Sequence, residues 1–147
     1  MIALGCDHGG YELMQEVKKH LTKRGFEYKD CGCYGLEAVD YPEYGRAAAE
    51  AVVSGECEKG ILICGTGIGI SMAANKVNGA RAACCSEPYS AKLSRQHNNS
   101  NILCFGARVV GDELAKMMVD EWLTAEFLGD RHERRINIFK DIEARQK

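Results

Sequence analysis

No apolar run in this 147-residue chain approaches the roughly 18 residues that a membrane span needs, so no transmembrane helix is expected. An excess of one charge is missing too. The 19 basic and 21 acidic side chains leave a formal net charge of -2, which offers nucleic acid and anionic membrane surfaces little to hold. The start, Met1 to Cys6, is a short apolar run leading into Asp7 and His8. It lacks the basic opening of a secretion signal, and a cytoplasmic protein is expected. Metal signatures are absent: after His132-Glu133 a zinc helix would need histidine at 136, where Ile136 stands, and none of the eight cysteines forms a C-x-x-C pair. The C-x5-R loop of cysteine phosphatases fails as well, because Glu12 and Ile70 occupy the arginine positions after Cys6 and Cys64. Repeats, low-complexity stretches and linkers are lacking.

What remains is the balance of a soluble globular chain, with 46% hydrophobic and 27% charged residues, expected to form one domain over residues 1–147. Without an export signal the cysteines are expected to be reduced thiols, most of them small hydrophobes in buried strands. Short apolar runs alternate with helical patterns. Strands are expected at Ile2–Cys6, Glu27–Cys31, Gly60–Cys64, Ala80–Cys85 and Ile102–Gly106. Helices are expected at Glu12–Arg24, about Glu43–Ser54, from the glycine loop to Lys76, from Pro88 to near His97, at Asp112–Phe127 and at Arg131–Arg145. This alternation argues an α/β fold, a doubly wound parallel sheet with helices on both faces. Ligands of such sheets bind at the carboxyl ends of the strands, where strand order reverses. A flavodoxin-like order sets the first and third strands side by side at that point.

The loops after those two strands hold the richest chemistry. In Cys64-Gly65-Thr66-Gly67-Ile68-Gly69-Ile70-Ser71 three glycines let the backbone turn sharply and present N–H groups at a helix start. Such a loop binds a phosphate or an oxyanion formed in a reaction. A ligand-free tight turn is one alternative. A nicotinamide site is another, although the spacing is G-x-G-x-G rather than G-x-G-x-x-G, with Glu87 about 20 residues on. Cys64 ends the strand before this loop, where N–H groups and the helix dipole stabilise a thiolate, so the sulfur can act as a base. Asp7 and His8 follow the first strand. His97 and Asn98 end a helix, and imidazole titrates near working pH. Arg131 and Arg135, four apart, share a helix face and can clamp a phosphate; a solvated charged face is the alternative.

The strings GCDHGG at Gly5–Gly10, ILICGTGIGISMAANK at Ile61–Lys76, CSEPYSAKLSRQHNNSN at Cys85–Asn101, FGARVVG at Phe105–Gly111 and GDRHERR at Gly129–Arg135 closely resemble the ribose-5-phosphate isomerase B family over essentially the whole chain. That resemblance implies a Rossmann-like α/β/α sandwich with a five-stranded parallel sheet and a C-terminal helical tail. It implies an enzyme of the non-oxidative pentose phosphate pathway, a homodimer with active sites at the subunit interface, requiring no metal and no cofactor. By resemblance Cys64 is the proton acceptor, His97 opens the furanose ring and Thr66 shares proton handling. Asp7, His8 and Tyr41 contact the sugar or its phosphate, and Asn98 a sugar hydroxyl. Gly65, Gly67, Ile68, Gly69 and Ser71 surround the substrate and its developing oxyanion, while Arg108, Arg131 and Arg135 bind substrate and phosphate. Another branch of the family places a glutamate base at the position of Ile70; Cys64 with Ile70 resembles the thiol branch. The substrate is expected to be ribose 5-phosphate, with a six-carbon sugar phosphate such as allose 6-phosphate or galactose 6-phosphate as the alternative. A nicotinamide-dependent oxidoreductase and a non-catalytic phosphosugar-binding protein are the remaining readings.

Overall fold

The structure, a computed structural model, describes residues 1–146. Five parallel strands, β1 (Ile2–Cys6), β2 (Tyr28–Asp30), β3 (Lys59–Cys64), β4 (Ala82–Cys84) and β5 (Ile102–Gly106), form one sheet in the order β2-β1-β3-β5-β4. β1 and β3 are neighbours as expected, but the far half departs from the flavodoxin-like order, because β5 lies inside and β4 takes the edge. Burial explains the exchange. Every residue of β5 is buried, as suits a strand covered on both faces, whereas β4 is three residues long and partly exposed. The same holds for β2 on the opposite edge.

Helices α2 (Tyr41–Val53) and α3 (Ile68–Ala74) cover one face. Helices α1 (Tyr11–Lys23), α4 (Pro88–Gln96) and α5 (Asp112–Thr124) cover the other. Leu13, Met14, Val17 and Leu21 bury the stripe of α1 that the spacing predicts. Trp122 and Phe105, both fully buried, are the largest side chains of that layer. On the α2 side Ala48, Ala49 and Ala51 keep the helix close to the sheet.

Boundaries moved where local chemistry overrode the pattern. α2 starts at Tyr41, because Pro42 in the first turn has no N–H to lose there. α5 stops at Thr124, since Ala125 is extended and the chain turns so that Leu128 N–H reaches Gln96 O at 3.0 Å. The pairing alongside β1 outlasts β2: Cys31 N–H bonds Leu4 O at 2.7 Å, and Cys33 N–H bonds Cys6 O at 2.7 Å. The last helix, α6 (Arg131–Ala144), buries Ile136 but leaves Phe139 and Ile142 nearly half exposed, so the expected apolar side of this helix is only partly used within the chain.

Candidate active site

The loops after β1, β3 and β5 meet at the carboxyl ends of the strands. Asp7 is buried, and its Oδ1 accepts the Gly10 N–H at 3.1 Å, closing the first loop. His8 Nδ1 accepts the Val39 N–H at 3.1 Å. A neutral imidazole so held carries its hydrogen on Nε2, leaving a donor for a substrate oxygen. Tyr41 opens α2 with its ring over the glycine loop: a Cβ at Gly69 would lie 2.7 Å from that ring. Arg108 follows β5, its N–H bonded to Gly65 O at 3.0 Å and its guanidinium alongside Gly65. Gly9 packs beside Gly65, and an open cleft of about 400 Å³ between the first and last of these loops is lined by Gly9, Glu12, Ala107 and Arg108.

Cys64 sits buried at the base of this group, and the Gly67 N–H points at its Sγ from 3.1 Å. An N–H directed at sulfur stabilises negative charge there. At Cys6, Cys31, Cys33 and Cys84 the hydrogen bonds run the other way, from thiol to backbone oxygen. Burial pushes the Cys6 thiol up to about 12, the nearby Cys33 adding to it, and the Cys85 thiol up to about 11. The fully buried Cys104 is also held well above the usual thiol range by burial. Among these thiols Cys64 is the one whose sulfur accepts a main-chain N–H.

The loop geometry depends on two glycines. Gly67 has φ +82°, and a Cβ there would stand 2.6 Å from the Phe105 backbone. Gly106, at the end of β5, would drive a Cβ to 2.5 Å from the Thr66 backbone. Gly67→Ala should therefore cost about 2 kcal/mol or more, from the left-handed conformation and the collision together. Thermal melting should fall by roughly 4–8 °C for a chain of this size. An unchanged melting temperature would mean that the loop does not need this conformation.

Within the loop two expected anion donors are already engaged. Gly67 N–H serves Cys64 Sγ, and Ile68 N–H bonds Thr66 Oγ1 at 3.2 Å. Ser71 is buried and donates to Ile68 O at 2.7 Å, so its hydroxyl is turned into α3. The first-turn N–H groups of Gly69 and Ile70 have no acceptor inside the helix.

His97, Asn98, Arg131 and Arg135 do not join this cluster. α4 runs antiparallel to the strands, and its end lies where they begin: Ser100 N–H bonds Ser94 O at 2.9 Å, and Asn101 N–H bonds Arg81 O at 3.1 Å just before β4. Cys64 pairs with Gly106 at the other end of β5, so a strand length on the order of 15 Å separates the two groups. A buried network fixes the His97 end. Trp122 Nε1–H donates to Ser100 Oγ at 2.9 Å, Ser94 and Ser100 hydroxyls lie 2.8 Å apart, and Arg81 and Arg95 bond the backbone and side-chain oxygens of Asn99. His97 stacks on His132, which the sequence offered only as a failed zinc ligand within a charged run, and Arg131 and Arg135 flank that stack on the exposed side of α6. Beside them an open groove of about 570 Å³ is lined in part by Arg81, Asn98, Ile136 and Phe139. Among the described residues no group of three His, Cys, Asp or Glu side chains is placed to hold a metal ion.

Residues 2–139 match the family described as Ribose/Galactose Isomerase. The chain belongs to that family. It is 57% identical over 145 residues to ribose-5-phosphate isomerase B of Escherichia coli K12, covering 99% of this chain and 97% of that protein. Its fold matches the solved Clostridium thermocellum ribose-5-phosphate isomerase B with a TM-score of 0.98 at 55% identity, covering 99% of each chain. Against Mycoplasma genitalium ribose-5-phosphate isomerase B, solved with bound ribulose 5-phosphate, the TM-score is 0.93 at 40% identity, covering 97% of this chain and 95% of that one. The expected α/β fold of this family is thus the observed one, and no helix of the described residues is long and apolar enough to cross a membrane.

Proposed function

We propose that this member of the Ribose/Galactose Isomerase family interconverts D-ribose 5-phosphate and D-ribulose 5-phosphate through a cis-enediolate, acting in the cytoplasm as a homodimer. The observation that carries the reading is the buried Cys64 sulfur with an N–H aimed at it, at the switch point of the sheet beside Arg108. His97 helps open the furanose ring and delivers the free aldehyde. The Cys64 thiolate then takes the proton from C2, the aldehyde oxygen gains the charge, and main-chain N–H groups at the start of α3 stabilise it. The thiol returns the proton to C1 while the O2 hydroxyl passes its own to the negatively charged O1, and the ketose results. Thr66 shares the proton handling, and Asn98 holds a sugar hydroxyl. His8 and Tyr41 contact the sugar or its phosphate, and Arg131 and Arg135 clamp the phosphate, so binding to a non-reacting group orients the reacting carbons.

Because the two groups of residues lie at opposite ends of one sheet, a complete site on this reading joins the Cys64 end of one subunit to the His97 end of another. A two-fold dimer supplies two such sites. The half-exposed Phe139 and Ile142 and the exposed Ile138 on α6 give that dimer an apolar surface.

Incubation with ribose 5-phosphate in D2O should yield ribulose 5-phosphate carrying deuterium at C1, and allose 6-phosphate should turn over at least tenfold more slowly on the order of one or two misplaced groups. Faster turnover of the six-carbon sugar would move the substrate assignment to the six-carbon class. Ligand binding without any hydrogen exchange would leave a phosphosugar-binding protein instead.

A further inference from the structure

We propose that His132 is a positioning residue for His97, holding its imidazole plane for the ring-opening half of the reaction. This rests on the ring-opening role given to His97 above. The two rings stack face to face with centroids 4.3 Å apart and planes 7° from parallel. They come from separate elements, the C-cap of α4 and the second residue of α6. The chain fastens them from both sides: Leu128 N–H bonds Gln96 O at 3.0 Å, beside His97, and His132 N–H bonds Gly129 O at 3.0 Å. Gly129 and Asp130 both adopt positive φ, which turns the chain so that α6 begins against α4.

The burial of the pair is unequal. His132 is buried, while His97 is partly open to solvent. A stack covers a face of His97 and leaves the ring edge, which carries both nitrogens, free to exchange protons. The groups facing His132 are His97, Arg131, Arg135 and, with opposite sign, Asp130. Burial first, and then His97 and the two arginines, push the His132 imidazole below its ordinary range. That favours the neutral form of His132, whose flat ring lies stacked on His97. A base whose ring could rotate would lose the near-attack geometry on which its effect depends.

Two substrates separate this role from binding or folding. Ribose 5-phosphate cyclises through its O4 and must be opened before C2 loses a proton. Ribulose 5-phosphate has its O5 blocked by phosphate, so it stays open and exchanges its C1 hydrogen with solvent through the base alone. His132→Phe keeps a flat ring, whereas His132→Leu keeps apolar bulk without one. We expect His132→Phe to turn over ribose 5-phosphate within about threefold of the wild type, and His132→Leu to lose roughly tenfold, part of the 10²–10⁴ that acid–base catalysis contributes. Both variants should keep deuterium exchange into ribulose 5-phosphate within about twofold. Equal turnover of ribose 5-phosphate by the two variants would overturn the proposal, as would a parallel loss of turnover and exchange in His132→Leu. His97→Asn tests the underlying reading separately: it should lose ribose 5-phosphate turnover and keep the exchange. If it keeps both, His97 does not open the ring, whatever the His132 variants do.

Discussion

Cys64→Ala should lower the turnover of ribose 5-phosphate by about 10²–10⁴-fold, the range that a positioned general base contributes, and should abolish deuterium exchange into ribulose 5-phosphate. The expectation follows from what surrounds the sulfur. It ends a strand buried from Gly60 onward, receives the Gly67 N–H at 3.1 Å, and lies beside the start of α3, where the Gly69 and Ile70 N–H groups have no acceptor inside the helix. Cys64→Ser should fare little better, because a hydroxyl in the same place does not ionise near neutral pH. Cys84→Ala is the matched control. Cys84 is an exposed residue whose thiol donates toward Thr66 O at 3.8 Å, and partial desolvation of the sulfur, then the nearby Cys64, push it up, so its loss should change turnover by less than about twofold. Wild-type rates from Cys64→Ala would remove the base from the mechanism. Equal losses from Cys64→Ala and Cys84→Ala would point to damaged packing of the β3 and β4 ends rather than to chemistry.

Much of this architecture was legible because it is local. Five apolar runs separated by helical stripes specify an α/β sheet, and the glycines of the Cys64 loop mark a strand-to-helix turn whatever lies around it. The order of β4 and β5 was not legible, because both read as short apolar strands; the difference lies in what covers them, which is a tertiary property. The distribution of the site residues was hidden for a related reason. His97 and Cys64 are both polar positions at the end of an element, but α4 and β3 run in opposite directions, so those ends lie at opposite edges of the sheet. His132 stood in a run of charged residues that reads as a solvated face, and only the turn at Gly129 and Asp130 brings it against His97. Gly106 carried a fainter sign: a glycine closing an otherwise apolar strand marks a close backbone approach, and here the Thr66 backbone is what approaches.

Mixing two inactive variants should restore activity. In a two-fold dimer that shares its sites, one site takes Cys64 from one subunit and His97 from the other, and the second site takes the reverse pair. A hybrid of Cys64→Ala with His97→Asn then concentrates both defects in one site and leaves the other wholly wild type. Random exchange of subunits in an equal mixture makes half of the dimers hybrid, each with one working site of two, so the mixture should reach about a quarter of the wild-type rate. Against parents reduced by about 10²-fold or more, that is a rise of more than tenfold on mixing. Sites contained within one chain give only the average of the two parents, because each chain carries its own defect. The geometry favours recovery: five residues of β5 stand between the level of Cys64 and the turn that carries His97, and His97 is tied from Gln96 O to Leu128 N–H, with the Ser94, Ser100 and Trp122 network beneath it. No side-chain rotation spans a gap of that size. Should the mixture remain at the level of its parents after subunit exchange has been verified, the shared site is wrong, and ring opening must be assigned to a residue near Cys64, of which His8, with its Nδ1 held by Val39 and its Nε2 left to donate, is the first to test.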